Sequence, residues 1–189
     1  ERFQLMRAHC DIVAPVRHVT DLFAGGVRDH AICFESDEEA ITGDWDRKRL
    51  EELTAILLTN AVKYSRGGDI VVRVRRGKHG ARVEVGDRGP GVAAADRRRI
   101  FRAYETGGNI ENRGAGLGLY VAGEIVRGHH GRLSVRARRG GGSTFWFEVP
   151  LSAAAAQKRV TRSGRGGGGK KAGRPVRAAR RKRPVATKV

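Results

Sequence analysis

The chain has 189 residues, with 38 Lys and Arg against 20 Asp and Glu, and no run approaches the roughly 18 to 20 consecutive apolar residues of a membrane span. Two cysteines, Cys10 and Cys33, make neither a disulfide framework nor a zinc site, so both are expected to be reduced, in a cytoplasmic setting. The charge of +18 is uneven: Ser152 to Val189 holds thirteen Lys and Arg and no acid, leaving 25 basic and 20 acidic residues in 1–151.

The chain opens "ERFQLMRAHC", without an initiator Met and without the basic-then-apolar order of a signal peptide, which predicts a piece of a longer protein. "HCDIVAPVRHVTDLFAGG" predicts a short extended entry and then a helix with Pro15 in its first turn, burying Val16, Val19, Leu22 and Phe23 and ending at Gly25-Gly26. "HAICFES" and "AITGD" predict two short strands around an acidic turn. "DRKRLEELTAILLTNAVKYS" predicts a long helix, because Leu50, Leu53, Ile56, Leu57 and Val62 recur at helical spacing. "GDIVVRVRRGKHGARVEVGD" and "RLSVRARRGGGSTFWFEVP" predict hairpins turning at Gly77–Gly80 and at glycines 140–142. Helices and strands come in blocks and the strands are joined by hairpins, so the expected fold is an α+β two-layer sandwich spanning 12–151.

From residue 152 the composition changes to glycine, blocks of like charge and almost no large apolar side chain. Such a segment cannot bury enough surface to offset its chain entropy, so 152–189 is expected to be a disordered basic tail. Gly164, Gly169 and Lys170 match P-loop spacing, but Lys171 stands where a Ser or Thr would bind magnesium, and no strand precedes them.

Three polar groupings interrupt the apolar pattern. In Asn60-Ala61-Val62-Lys63-Tyr64, Asn60 and Lys63 share a helical face. An amide oxygen suits a hard cation, a lysine suits a phosphate, and a tyrosine ring can lie against a base. A solvated helix end would read the same way. Asp87-Arg88-Gly89-Pro90-Gly91 follows a strand, where a carboxylate can accept from an exocyclic amine and the glycines let backbone approach a ring; it is also an ordinary turn sequence. Gly114-Ala115-Gly116-Leu117-Gly118-Leu119 opens a helix whose free N–H groups and dipole favour an anion.

In this order the three resemble the histidine kinase-like ATPase domains shared by sensor kinases, gyrase and the mismatch-repair ATPases. "LLTNAVKYS" resembles the N box, "VEVGDRGPGV" the first glycine box, "IFRAY" the phenylalanine box and "GAGLGLYVAGEIV" the second glycine box. The resemblance implies a mixed, mostly antiparallel sheet with helices on one face, and ATP with Mg2+ as cofactors. It implies that Asn60 coordinates magnesium, Lys63 reaches a phosphate and Tyr64 packs beside the adenine. Asp87 would receive the adenine amino group, with Gly89 and Gly91 shaping the pocket. Gly114, Gly116, Leu117, Gly118 and Leu119 would cradle phosphates, and Arg113 would face the terminal one. Val92 to Arg113 would be a lid anchored by Phe101 and Tyr104. One departure is Ile56, where many sensor kinases carry a second Asn; Thr59 or a water would have to substitute.

The implied function is transfer of the ATP γ-phosphoryl group to a histidine on a dimerisation domain, and from there to a response regulator. The resemblance also implies that residues 1–11 are the remnant of a preceding helical dimerisation or linker segment. No histidine of this chain suits the acceptor role: His9 is too near Asn60 for a helical hairpin to intervene, His18 lies on the first helix, and His30, His79, His129 and His130 read as structural. Two rivals share the residues. One is an anti-sigma-type serine kinase of the same fold. The other is a degenerate ATPase acting through its basic tail on nucleic acid or on an acidic surface.

Overall fold

The computed structural model describes residues 4–65, 67–105 and 116–152. Its elements are β1 (Ala8–Asp11), α1 (Val13–Gly26), β2 (His30–Ser36), β3 (Thr42–Trp45), α2 (Arg47–Tyr64), β4 (Gly68–Arg76), β5 (Ala81–Gly86), a 3-10 turn (Arg99–Phe101), α3 (Gly118–Gly128), β6 (Arg132–Ala137) and β7 (Ser143–Val149). The main sheet runs β2-β4-β5-β7-β6, with β2 parallel to β4 and the other neighbours antiparallel. It is the expected mixed, mostly antiparallel sheet.

Alternation decides which face is buried. Ile70, Val72 and Val74 of β4, Val83 and Val85 of β5, and Phe145, Phe147 and Val149 of β7 all turn to one side. There they meet Leu50, Leu53, Leu57 and Leu58 of α2 and Ala122, Ile125 and Val126 of α3 in one core. The opposite face carries Arg73, Arg75, Arg82, Glu84, Trp146 and Glu148, as an antiparallel sheet open on one side should.

The helices begin where the side chains allow. Asp46 caps α2, accepting the Arg49 N–H at 3.2 Å. Asp11 does the same for α1, accepting from Val13 and Ala14 at 3.0 and 2.8 Å, and its Oδ1 also takes the Ile41 N–H at 2.8 Å.

Two expectations are corrected. Ala8–Asp11, within the stretch expected to be helical, is a strand paired with β3. The two short strands expected around the acidic turn are present as β2 and β3, in different sheets: β2 joins β4, and β3 joins β1. On α1 the buried stripe runs Val13, Val16, Val19 and Thr20, with Phe23 half-buried, and Leu22 is 63% exposed. At 100° per residue Leu22 lies about 120° from Val16, off the stripe. The basic tail lies outside the described residues.

Candidate functional site

The three polar groupings converge at one end of the sheet. Asp87 leaves β5 and is buried, with 4% of its surface exposed. Its Oδ1 accepts the Gly89 N–H at 2.8 Å and the Ser143 N–H at 3.2 Å. Its Oδ2 accepts from no group among the described residues. Burial raises the Asp87 carboxyl above the usual carboxylate range, against the two backbone N–H groups, which lower it.

Two glycines hold this turn in place. A Cβ on Gly89 would stand 2.5 Å from the carbonyl oxygen of Tyr64, so the Asp87 turn lies directly on the C-terminal end of α2. A Cβ on Gly142 would stand 2.0 Å from the Asp87 carbonyl oxygen, and Gly142 has φ +93°. The β6–β7 turn therefore packs on Asp87 from the other side. Arg138 reinforces it, donating to the Asp87 carbonyl at 3.2 Å and to the Asp69 carboxylate at 2.6 Å. Gly142, the Ser143 N–H and Arg138 were not singled out as site residues from the sequence. The third glycine in a hairpin turn that needs only one or two was the available signal.

On α2, Tyr64 is partly exposed, and Lys63 Nζ lies 5.1 Å from the centroid of its ring, a cation–π contact. Asn60 lies one turn earlier, and its Nδ2 is buried without a partner among the described residues. Ile56 is one further turn back, and the Cβ that Gly118 lacks would meet its Cγ2 at 3.5 Å. The position flagged as a missing amide is thus an apolar seat for the start of α3.

α3 starts at Gly118 with Leu117 at its N-cap and no side chain capping it, so its first-turn N–H groups are free to bind an anion. Leu119 is half-buried against the core. Gly116, at φ +66°, packs against the Tyr104 backbone: a Cβ would come within 3.0 Å of it. Tyr104 itself has φ +62° and is 79% exposed. Phe101 sits edge-to-face on Phe145 of β7, ring centroids 6.4 Å apart, which anchors the segment after Val92 to the sheet. Gly91, at φ +81°, turns the chain into that segment beside the Gly142 carbonyl. Arg113 and Gly114 lie outside the described residues.

Among the described residues no group of three or more His, Cys, Asp or Glu could hold a metal ion. Magnesium keeps several waters and takes few protein oxygens beside those of a phosphate, and a single amide such as Asn60 fits that demand.

The sheet order, the helical layer and the three gathered motifs define the class: a two-layer α+β ATPase domain. Residues 45–153 match the family of histidine kinase-, DNA gyrase B-, and HSP90-like ATPases, and the chain belongs to that family. The sensor histidine kinase AruS of Pseudomonas aeruginosa is 40% identical over 113 residues, 56% of this chain and 11% of AruS. Full-length ShkA, solved in complex with AMPPNP, superposes with a TM-score of 0.70 at 30% identity, over 80% of this chain and 32% of ShkA. The catalytic domain of the histidine kinase ThkA superposes at 0.71 with 26% identity, over 80% of this chain and 99% of that domain. The chain thus spans a small part of the full-length kinases and nearly all of an isolated catalytic domain. No helix among the described residues is long and apolar enough to cross a membrane.

Proposed function

We propose that this chain binds Mg-ATP and passes the γ-phosphoryl group to a histidine on a separate dimerisation domain, as the catalytic part of a sensor histidine kinase whose final acceptor is a response regulator. The observation that carries the reading is the state of Asp87: Oδ1 is consumed by the Gly89 and Ser143 N–H groups, and Oδ2 has no partner among the described residues. A carboxylate held this way accepts from an exocyclic amine, which adenine has and guanine lacks at that position.

The other roles follow from placement. Tyr64, against the Asp87 turn, flanks the base. Lys63 reaches a phosphate, and the N–H groups of Gly116 to Leu119 receive phosphate oxygens at the start of α3. Asn60 supplies an amide oxygen to magnesium, which when bound would neutralise phosphate charge. Arg113 and Gly114 complete the phosphate end. Phe101 and Tyr104 hold the segment that covers the nucleotide. Phosphoryl transfer depends mostly on positioning and charge neutralisation, so this half needs an acceptor histidine brought to it.

The test is calorimetric titration of ATP and GTP into the full chain, with and without magnesium. Asp87→Asn keeps an oxygen for Gly89 and Ser143 and places an NH2 where Oδ2 stood. We expect it to weaken ATP about a hundredfold, the scale of a lost charged hydrogen bond. Asn60→Ala should remove the gain from magnesium. Adding a histidine-bearing helical hairpin should then yield acid-labile phosphate on the hairpin. Equal ATP affinity in wild type and Asp87→Asn, with both folded, would sink the reading.

A further inference from the structure

The open face of the sheet, opposite the helical layer, is built from arginine. Arg73 and Arg75 stand on β4, Arg82 on β5 and Arg136 on β6, with Arg138 and Arg139 in the following turn. Four of them, Arg73, Arg136, Arg138 and Arg139, line a groove of about 400 Å³ with Glu84, floored at Gly86. No lysine lines it.

Glu84 fixes the geometry. Its side chain is 2% exposed, and it accepts from Arg75 at 2.8 Å, Arg82 at 2.7 Å and Arg136 at 2.9 Å. Burial alone would raise this carboxyl, but the three guanidiniums hold it below its usual range. One negative charge therefore anchors three positive ones. Arg82 is further fixed by stacking over the Trp146 ring, 3.9 Å from its centroid. Arg139 has no carboxylate partner among the described residues, and no described element packs across the face.

A surplus of pre-oriented guanidiniums is built for planar, two-oxygen acceptors. The rim narrows the choice. Glu35 and Asp69, each about half-exposed, flank the groove on Arg73 and on Arg138. These carboxylates would repel a continuous phosphate backbone laid across the face, whereas spaced side-chain carboxylates can reach the arginines between them. The chain's own tail carries the same sign as the groove and is no candidate occupant. We propose that this groove is a docking surface for an acidic segment of a partner protein, whose Asp and Glu side chains pair with Arg136 and Arg139. This does not depend on the nucleotide reading.

The test follows backbone amide resonances of the full 15N-labelled chain as a hexaglutamate peptide is added, because site-resolved shifts separate the groove from the basic tail. We expect Gly86, Arg139 and Thr144 to move saturably. Arg139→Gln should weaken this about tenfold, with ATP affinity unchanged, and Arg136→Gln/Arg139→Gln should abolish it. Shifts confined to the tail, or groove shifts unaltered in Arg139→Gln, would overturn the proposal. So would stronger movement of the same amides by duplex DNA or by inorganic phosphate at equal charge, which would make this a phosphate site. Arg139→Gln removes an exposed side chain with no ion pair among the described residues, so its folding is not at issue.

Discussion

His129 Nε2 accepts the backbone N–H of Asp46 at 3.0 Å, tying the last turn of α3 to the first of α2. Nδ1 donates to the Ile125 carbonyl at 2.9 Å, so the ring is neutral with its proton on Nδ1. A second proton would turn Nε2 into a donor facing a donor. Burial, first, lowers the His129 pKa below 6.5; Arg7 and His130 lower it too, while the Ile125 bond and Asp46 oppose them.

Stability should therefore fall on acidification. The unfolded chain takes its histidine proton as pH drops through about 6.5, while the folded chain resists until its lower pKa, so the loss occupies the interval between them. One such group contributes at most about 1.4 kcal/mol per pH unit. Denaturant unfolding at pH 7.5 and 5.5 should show a loss for wild type that shrinks in His129→Gln, which keeps an acceptor but does not titrate. Equal losses in the two proteins would place the effect elsewhere.

Gly142 and Gly141 offer a matched pair. Both have positive φ, +93° and +100°, so alanine strains either by about 1 kcal/mol or more. Only at Gly142 would the new Cβ also strike the Asp87 carbonyl; at Gly141 nothing lies within 4 Å. Gly142→Ala should lose ATP affinity along with several kcal/mol of stability, and Gly141→Ala should keep its affinity. Calorimetry and thermal melts on the two variants check both halves.

The contrast shows what could be read in advance. Helix α2 and the hairpins β4–β5 and β6–β7 were legible because one periodicity runs through each and a turn closes each pair. The cleft motifs were legible because glycine, Asp87 and Asn60 stand out from an apolar background. The parallel pairing of β2 with β4 was not, since partner choice between distant strands leaves no local pattern. Nor was the support beneath Asp87: Ser143 contributes a backbone N–H, which any residue has, and Arg138 looks like one more arginine among many. His129 looked like a polar helix end because its partner, Asp46, is 83 residues away.

Ile56 tests the one departure in the cleft. It lies on the Asn60 face of α2, one turn away, and its Cγ2 would stand 3.5 Å from a Cβ on Gly118. Ile56→Asn would place a second amide toward the phosphate end and remove an apolar contact. We expect a larger gain in ATP affinity from magnesium, at a cost of about 1–2 kcal/mol in stability. Titrations with and without magnesium, beside a urea melt, separate the two effects. An unchanged magnesium gain would mean that this face of α2 does not look onto the metal.

The segment after Val92 is held by Phe101 against Phe145, with Ile100 buried beside it. Phe101→Ala removes an edge-to-face pair worth about 0.5–1.5 kcal/mol beyond its buried area. That loss falls on local anchoring, because the sheet under Phe145 is held by its own ladder. Trypsin should then cut after Arg97, Arg98 or Arg99 several-fold faster, while the global melt shifts little. If ATP orders this segment, its addition should restore much of the wild-type resistance. Unchanged cleavage in Phe101→Ala would show that Ile100 alone holds the segment down.

Glu84 is a buried carboxylate paired with three arginines on the open face of the sheet. Glu84→Gln leaves Arg75, Arg82 and Arg136 facing one another across a neutral amide, and breaking a buried ion pair from one side costs about 3–5 kcal/mol. Because two of these arginines are 38% and 51% exposed, part of that cost is screened, and the lower end is expected. The carboxyl pKa is depressed on folding, so its contribution is complete above the ordinary glutamate value and fades as pH falls through the folded one. The gap between wild-type and Glu84→Gln stabilities should therefore begin to close as pH falls below the ordinary glutamate value, about 4.3, and go on narrowing toward the lower folded one, measured by urea unfolding across pH. A gap that stayed constant to pH 3 would mean that the variant loses packing and not charge.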